Sequence, residues 1–88
     1  MTATHVLAER GIDLADLTVD GTPGCSDGVI VQRGPVRLTD SSITGAPRFD
    51  LVTRTRPQLV NTACGTSRRL GRDGVTPEDT TWGVCGSD

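Results

Sequence analysis

Residues 36–45 read Val36-Arg37-Leu38-Thr39-Asp40-Ser41-Ser42-Ile43-Thr44-Gly45, and they align without a gap on Ile12-Asp13-Leu14-Ala15-Asp16-Leu17-Thr18-Val19-Asp20-Gly21. Both stretches run apolar, polar, Leu, small, Asp, two variable positions, β-branched, polar, Gly. A looser third copy is Gln58-Leu59-Val60-Asn61-Thr62-Ala63-Cys64, where Leu59 takes the Leu place, Asn61 the Asp place and Cys64 the β-branched place. A second matched piece precedes each copy: His5-Val6-Leu7-Ala8, then Val29-Ile30-Val31-Gln32, then Leu51-Val52-Thr53-Arg54. The unit therefore recurs at about two dozen residues, within the range of solenoid repeats.

Each unit holds short β-rich stretches divided by Gly, Pro and Asp turns, with too few contiguous residues for a helix of ordinary length. Three short strands in a unit of this size make one turn of a parallel β-helix. Alternate side chains of a strand face opposite ways. Val29, Val31, Leu38 and Ile43 are then expected inside, with Ile30, Gln32 and Arg37 outside. Stacked turns sit about 4.8 Å apart and place like residues over like. The expected interior columns are Leu7, Val31 and Thr53; Leu14, Leu38 and Leu59; and Val19, Ile43 and Cys64. Asp16, Asp40 and Asn61 fall together at one corner. The expected organisation is all-β, with three β-helix coils over residues 1–67 and a loop and C-terminal capping tail over residues 68–88.

The stretches Gly28-Val29-Ile30-Val31 and Val36-Arg37-Leu38-Thr39-Asp40-Ser41-Ser42-Ile43-Thr44-Gly45 resemble the coils of right-handed parallel β-helix proteins, the pectate-lyase-like solenoids. The run from Leu59 to Ser67, followed by Thr81-Trp82-Gly83-Val84-Cys85, resembles the closing sequences of secreted actinobacterial members. This resemblance implies a right-handed coil, an extracellular setting and an association with carbohydrate. It also implies an inward ladder of Asn side chains at the corner, from which the sequence departs with Asp16, Asp40 and Asn61. Two carboxylates cannot donate to one another and repel when stacked. Either these Asp turn outward to backbone amides or the register there is imperfect.

Composition narrows the rest. A chain of 88 residues supports one modest core and commonly needs a crosslink, a metal or an economical architecture. Its nine basic residues are all Arg and are scattered, and the formal net charge is −2, so no basic face is expected for nucleic acid. No apolar run reaches membrane-spanning length, and residues 1–10 lack the pattern of a secretory signal. The localisation of this chain is therefore open. His5 belongs to no metal-type spacing and reads as a solvated terminal side chain, while Cys25, Cys64 and Cys85 lie too far apart for zinc knuckles. Neither a metal nor a cofactor is expected.

A solenoid must cover its last coil. A returning tail would bring Cys85 to the inward Cys64, with Trp82 and Val84 as apolar cover, and closing that loop is worth about 3 kcal/mol in the chain-entropy model. The alternative is a buried free Cys64 and an unrelated exposed Cys85. Cys25, in a turn-rich loop, is the odd cysteine. At the other end the first coil has no obvious cap, and its open strands invite self-association.

No catalytic constellation is evident. The outward positions expected on the first strands are Val6, Ala8, Ile30, Gln32, Val52 and Arg54, without an acid among them. Asp13 and Arg37 suggest a surface ion pair, Glu78 and Asp79 a solvated turn or helix start, and Arg68-Arg69-Leu70-Gly71-Arg72 a solvated rim with carboxylate-sugar contact as a lesser reading. The leading expectation for function is a structural or carbohydrate-associated end section of an extracellular β-helix, with polysaccharide or cell-surface glycan as the partner. A remnant of a polysaccharide lyase or hydrolase is the first alternative. The second is a modified-peptide precursor, from the leader-like Phe49-Asp50-Leu51.

Overall fold

The computed structural model describes residues 2–22 and 27–88. Cys25 lies outside them. The described chain is all-β, with eleven short strands in three parallel sheets. The strands are β1 (Thr2–Ala3), β2 (Val6–Ala8), β3 (Ile12–Ala15), β4 (Thr18–Asp20), β5 (Val29–Val31), β6 (Val36–Thr39), β7 (Ser42–Thr44), β8 (Leu51–Thr53), β9 (Gln58–Val60), β10 (Ala63–Cys64) and β11 (Ser67–Arg69). The first sheet has the order β2-β5-β8-β11, the second β3-β6-β9 and the third β1-β4-β7-β10. Each strand thus pairs with the strand three places along, and the chain visits the sheets in the same sequence on every circuit.

The registers of the second and third sheets follow the repeat. Leu14 pairs with Leu38 and Leu38 with Leu59, while Val19 pairs with Ile43 and Ile43 with Cys64. Leu38, Val19 and Ile43 are fully buried; Leu14 and Leu59, in the outer circuits, pack half-buried against the same core. Ala3 continues the third column above Val19.

The first sheet corrects the expected register by one residue in its first strand. Val6 pairs with Val29 and Ala8 with Val31, so these two side chains pack on the core and Leu7 falls in line with Ile30 and Val52. Leu7 points outward and is 59% exposed. The reason is that β2, β5 and β8 are apolar on both faces, so alternation alone does not say which face is inside. Asp13 and Arg37 are register partners, but the ion pairs among described residues are Arg48 with Asp27 and Arg69 with Glu78.

The shared Asp/Asn position has a backbone cause. Asp16, Asp40 and Asn61 have φ of 55°, 51° and 49°, the left-handed region that Asn and Asp tolerate better than other side chains. All three are exposed, and the register around them is regular, so they turn outward and form no inward ladder. One rung does bond along the stack: Asn61 Nδ2 donates to Asp40 Oδ1 at 2.7 Å. The inward polar position is the next residue. Ser41 Oγ accepts from the Leu17 amide at 3.2 Å, and the Ser41 amide donates to Thr62 Oγ1 at 3.3 Å, so hydroxyls stitch successive circuits where the resemblance implies amides.

These two roles of Asn61 are separable by mutation. Asn61→Ala, which keeps the strained φ and loses the bond to Asp40, is expected to cost about 1–2 kcal/mol. Asn61→Gly, which relieves the strain, should recover most of that loss in a urea melt. Equal costs for the two variants would show that the left-handed corner is unimportant.

Candidate functional site

The far end of the stack is the most elaborated part of the molecule. Beyond β11 the chain turns at residues 71–76 and runs back, pairing antiparallel at Leu70 and Pro77. The Arg69 amide donates to Thr80 O at 2.8 Å and the Glu78 amide to Arg69 O at 2.7 Å, so residues 77–80 take up the open edge of the first sheet. Glu78 and Asp79 therefore sit beside a strand. Further on, Gly86 N donates to Cys64 O at 2.9 Å and Ser87 N to Gly65 O at 2.7 Å, which occupies the edge of the third sheet. A sheet edge left bare presents unpaired backbone groups; here the tail covers two of the three.

Cys64 and Cys85 are joined by a disulfide with their α-carbons 4.8 Å apart, and both are buried. Val84 packs against the core cluster. Trp82 is half-buried and lies to one side of that cluster. Its amide donates to Ser67 Oγ at 3.1 Å, its carbonyl accepts from Arg56 Nη1 at 2.9 Å, and the Arg69 guanidinium stands 5.8 Å from its ring. The indole Nε1 is buried with no hydrogen-bond partner among the described residues. That orphaned donor subtracts from what the ring contributes as cover.

The feature that sequence reasoning missed is Asp88. Its carboxylate accepts from the Ser67 amide at 2.7 Å, from Ser67 Oγ, from Val84 N at 3.1 Å and from Cys85 N at 2.9 Å. Ser67, fully buried at the start of β11, thus receives the tail through its side chain and its amide. A similar device works one circuit earlier. The buried Asp50 accepts from Gly65 N at 2.7 Å, Thr66 N at 3.3 Å and Ala46 N at 3.1 Å. His5 is exposed, as expected, and its Nδ1 also bonds to Asp27 O at 2.8 Å, tying the first circuit to the second.

Burial works to raise the Asp88 pKa, but the hydrogen bonds to the carboxylate, headed by that from Ser67 Oγ, outweigh it and leave the group below the usual carboxylate range. A depressed folded-state pKa gives stabilisation that is complete above the unfolded value, about 3.9, and is lost as pH falls through the folded value. The Val84 and Cys85 amide resonances are accordingly expected to shift with a common midpoint below about pH 3.9. Asp88→Asn should abolish that titration, and its persistence in the variant would assign it to another group.

The basic run near residue 70 does not form a patch. Arg68 lies over the Phe49 ring at 4.4 Å, Arg69 pairs with Glu78 at 3.4 Å, Leu70 is fully buried and Arg72 lines a separate groove. No group of three or more His, Cys, Asp or Glu able to hold a metal occurs among the described residues, and no helix is long and apolar enough to cross a membrane. The geometry defines an all-β protein of three parallel sheets whose last circuit is locked by a disulfide and a carboxylate. No family model, curated protein or solved structure matches the chain.

Proposed function

We propose that the chain is the closing end section of a right-handed parallel β-helix, with a structural role. The observation that carries this reading is the difference between the two ends. At the last circuit the tail takes two of the three sheet edges and is bonded down at Cys64 and Ser67. At the first circuit β1, β2 and β3 are edge strands, and the inward side chains Val6, Ala8, Ile12 and Leu14 are only half-buried. Edge strands of this kind can pair with strands of another chain. Handedness follows from the strong preference of parallel crossovers for the right-handed sense. The disulfide suits an oxidising, extracellular compartment, and the pectate-lyase-like resemblance of the repeat supports a carbohydrate-associated parent. A remnant lyase or hydrolase and a peptide precursor gain no specific observation.

Sedimentation equilibrium tests the open end. The chain is expected to self-associate as concentration rises, and a fusion carrying one further coil ahead of β1 should melt higher. A strictly monomeric chain whose melting point the added coil leaves unchanged would overturn the reading.

A further inference from the structure

Counted by circuits, the second sheet stops one strand short of its neighbours. The first circuit holds β2, β3 and β4, the second β5, β6 and β7, and the third β8, β9 and β10. In the fourth, β11 continues the first sheet, while Gly86 and Ser87, bonded to Cys64 O and Gly65 O, continue the third. Nothing among the described residues continues the second. After β11 the chain turns back, and the tail then crosses the end of the stack with no backbone bond to β9. A notch one strand wide remains above β9.

The backbone of β9 is set to receive that strand. Along this sheet the Asp16 amide donates to Thr39 O at 3.0 Å and the Asp40 amide to Val60 O at 2.9 Å. The Asn61 amide, third in the series, has no backbone partner among the described residues. Successive residues of a strand aim their N–H and C=O to opposite sides, and Val60 faces β6, so both backbone groups of Leu59 face the notch. The side chains are equally incomplete. Leu59, last in its column, is half-buried, and Val60 is 47% exposed.

We propose that this notch docks an extended peptide segment of a partner protein, which adds to the second sheet as a parallel strand. Its register follows from the free groups: the residue above Gln58 accepts from Leu59 N–H, and the residue above Val60 donates to Leu59 C=O and accepts from the Asn61 amide. The residue between them turns onto Leu59 and lengthens the leucine column, so it is apolar. The one above Val60 is β-branched, to pack on that exposed side chain. The one above Gln58 is acidic, because Arg56 and Arg37, the register partner of Gln58, are exposed there and take no part in the ion pairs among described residues. Beside the start of β9 a cavity of about 350 Å³, lined by Pro35, Val36, Thr55, Arg56 and Gln58, has room for an apolar side chain that precedes the acid.

A second copy of this chain does not fit. The notch is recessed between β11 and residues 86–87, and a first circuit set upon β9 would drive its β2 and β4 into them. Two copies meeting at β9 would bring their tails together first. A lone strand passes between. The inference goes beyond the end-section reading and does not rest on it, since the open strands β1, β2 and β3 stand at the opposite end.

Nuclear magnetic resonance titration of the isotope-labelled, oxidised chain with an acetylated, amidated heptapeptide centred on glutamate-leucine-valine tests it. The Leu59 and Asn61 amides should shift saturably and exchange more slowly with solvent, while the Asp13 amide, on the bare edge of β3, stays in place. N-methylation of the peptide valine blocks its bond to Leu59 C=O and should weaken binding about tenfold or more. N-methylation of the leucine, whose N–H faces away, should change it little. Lysine in place of glutamate should weaken binding severalfold at low salt. The proposal falls if the peptide moves neither amide, if it moves Asp13 as much, if the leucine methyl and not the valine methyl abolishes binding, or if the lysine peptide binds as well. It also falls if dilution of the chain alone moves Leu59 and Asn61, which would make a second copy the occupant.

Discussion

Cys85→Ser lowers the stability of the oxidised chain by about 3 kcal/mol and leaves that of the reduced chain unchanged. The bridge joins residues 21 apart, and in the chain-entropy model its effect is mainly to restrict the unfolded chain. For a domain of this size each 1 kcal/mol moves the melting point by roughly 4–8 °C, so the loss should exceed about 10 °C. Both proteins should carry Cys25→Ser, which removes the third thiol as a source of exchanged bridges. Reduction of the parent should reproduce the melt of the variant. If oxidised variant and parent melt together, the tail is held by Asp88 and the backbone bonds alone, and the bridge is dispensable. Trp82→Ala provides the contrast, because its modest cost should be the same in both redox states.

The second large effect lies in the middle of the stack. Leu38→Ala is expected to cost about 3–4 kcal/mol, because Leu38 is fully buried and its neighbours on both sides are held by strand pairing and cannot collapse into the space. Leu14→Ala and Leu59→Ala remove the same atoms from the same column. Each should cost less, about 1–2 kcal/mol, since both side chains are half-buried in outer circuits and leave part of their cavity open to water. Chemical denaturation of the three variants ranks them. Equal losses along the column would mean that the end circuits are as well packed as the middle one, against the observed burial.

The legible part of the candidate site was its covalent part. Cys64 occupies the β-branched place of a repeat, which marks it as inward, and a tail returning over the last coil can bring Cys85 to it, as the disulfide shows. Asp88 carries no such mark. A single Asp among turn residues looks solvated in any local window, and only the return of the tail over β11 brings it to Ser67. Trp82 and Val84, both expected as apolar cover, are both half-buried, with Val84 packed against the core cluster.

What the amino-acid order determined by itself was the all-β class, the parallel repeat, and the registers of the second and third sheets. Those sheets are amphipathic, and their corner demands a residue that tolerates positive φ, so each unit carries local marks that a periodic reading detects. The first sheet was decided by tertiary structure, because apolar residues on both faces of β2, β5 and β8 make two registers locally equivalent and only pairing with the neighbouring circuits selects Val6 and Ala8 as the inner pair. Tertiary structure alone also decided the Asp88 latch and the Asp50 clasp. Their groups lie on different circuits or in the tail, and a contact between residues far apart in the chain leaves no period in the sequence from which it could be read.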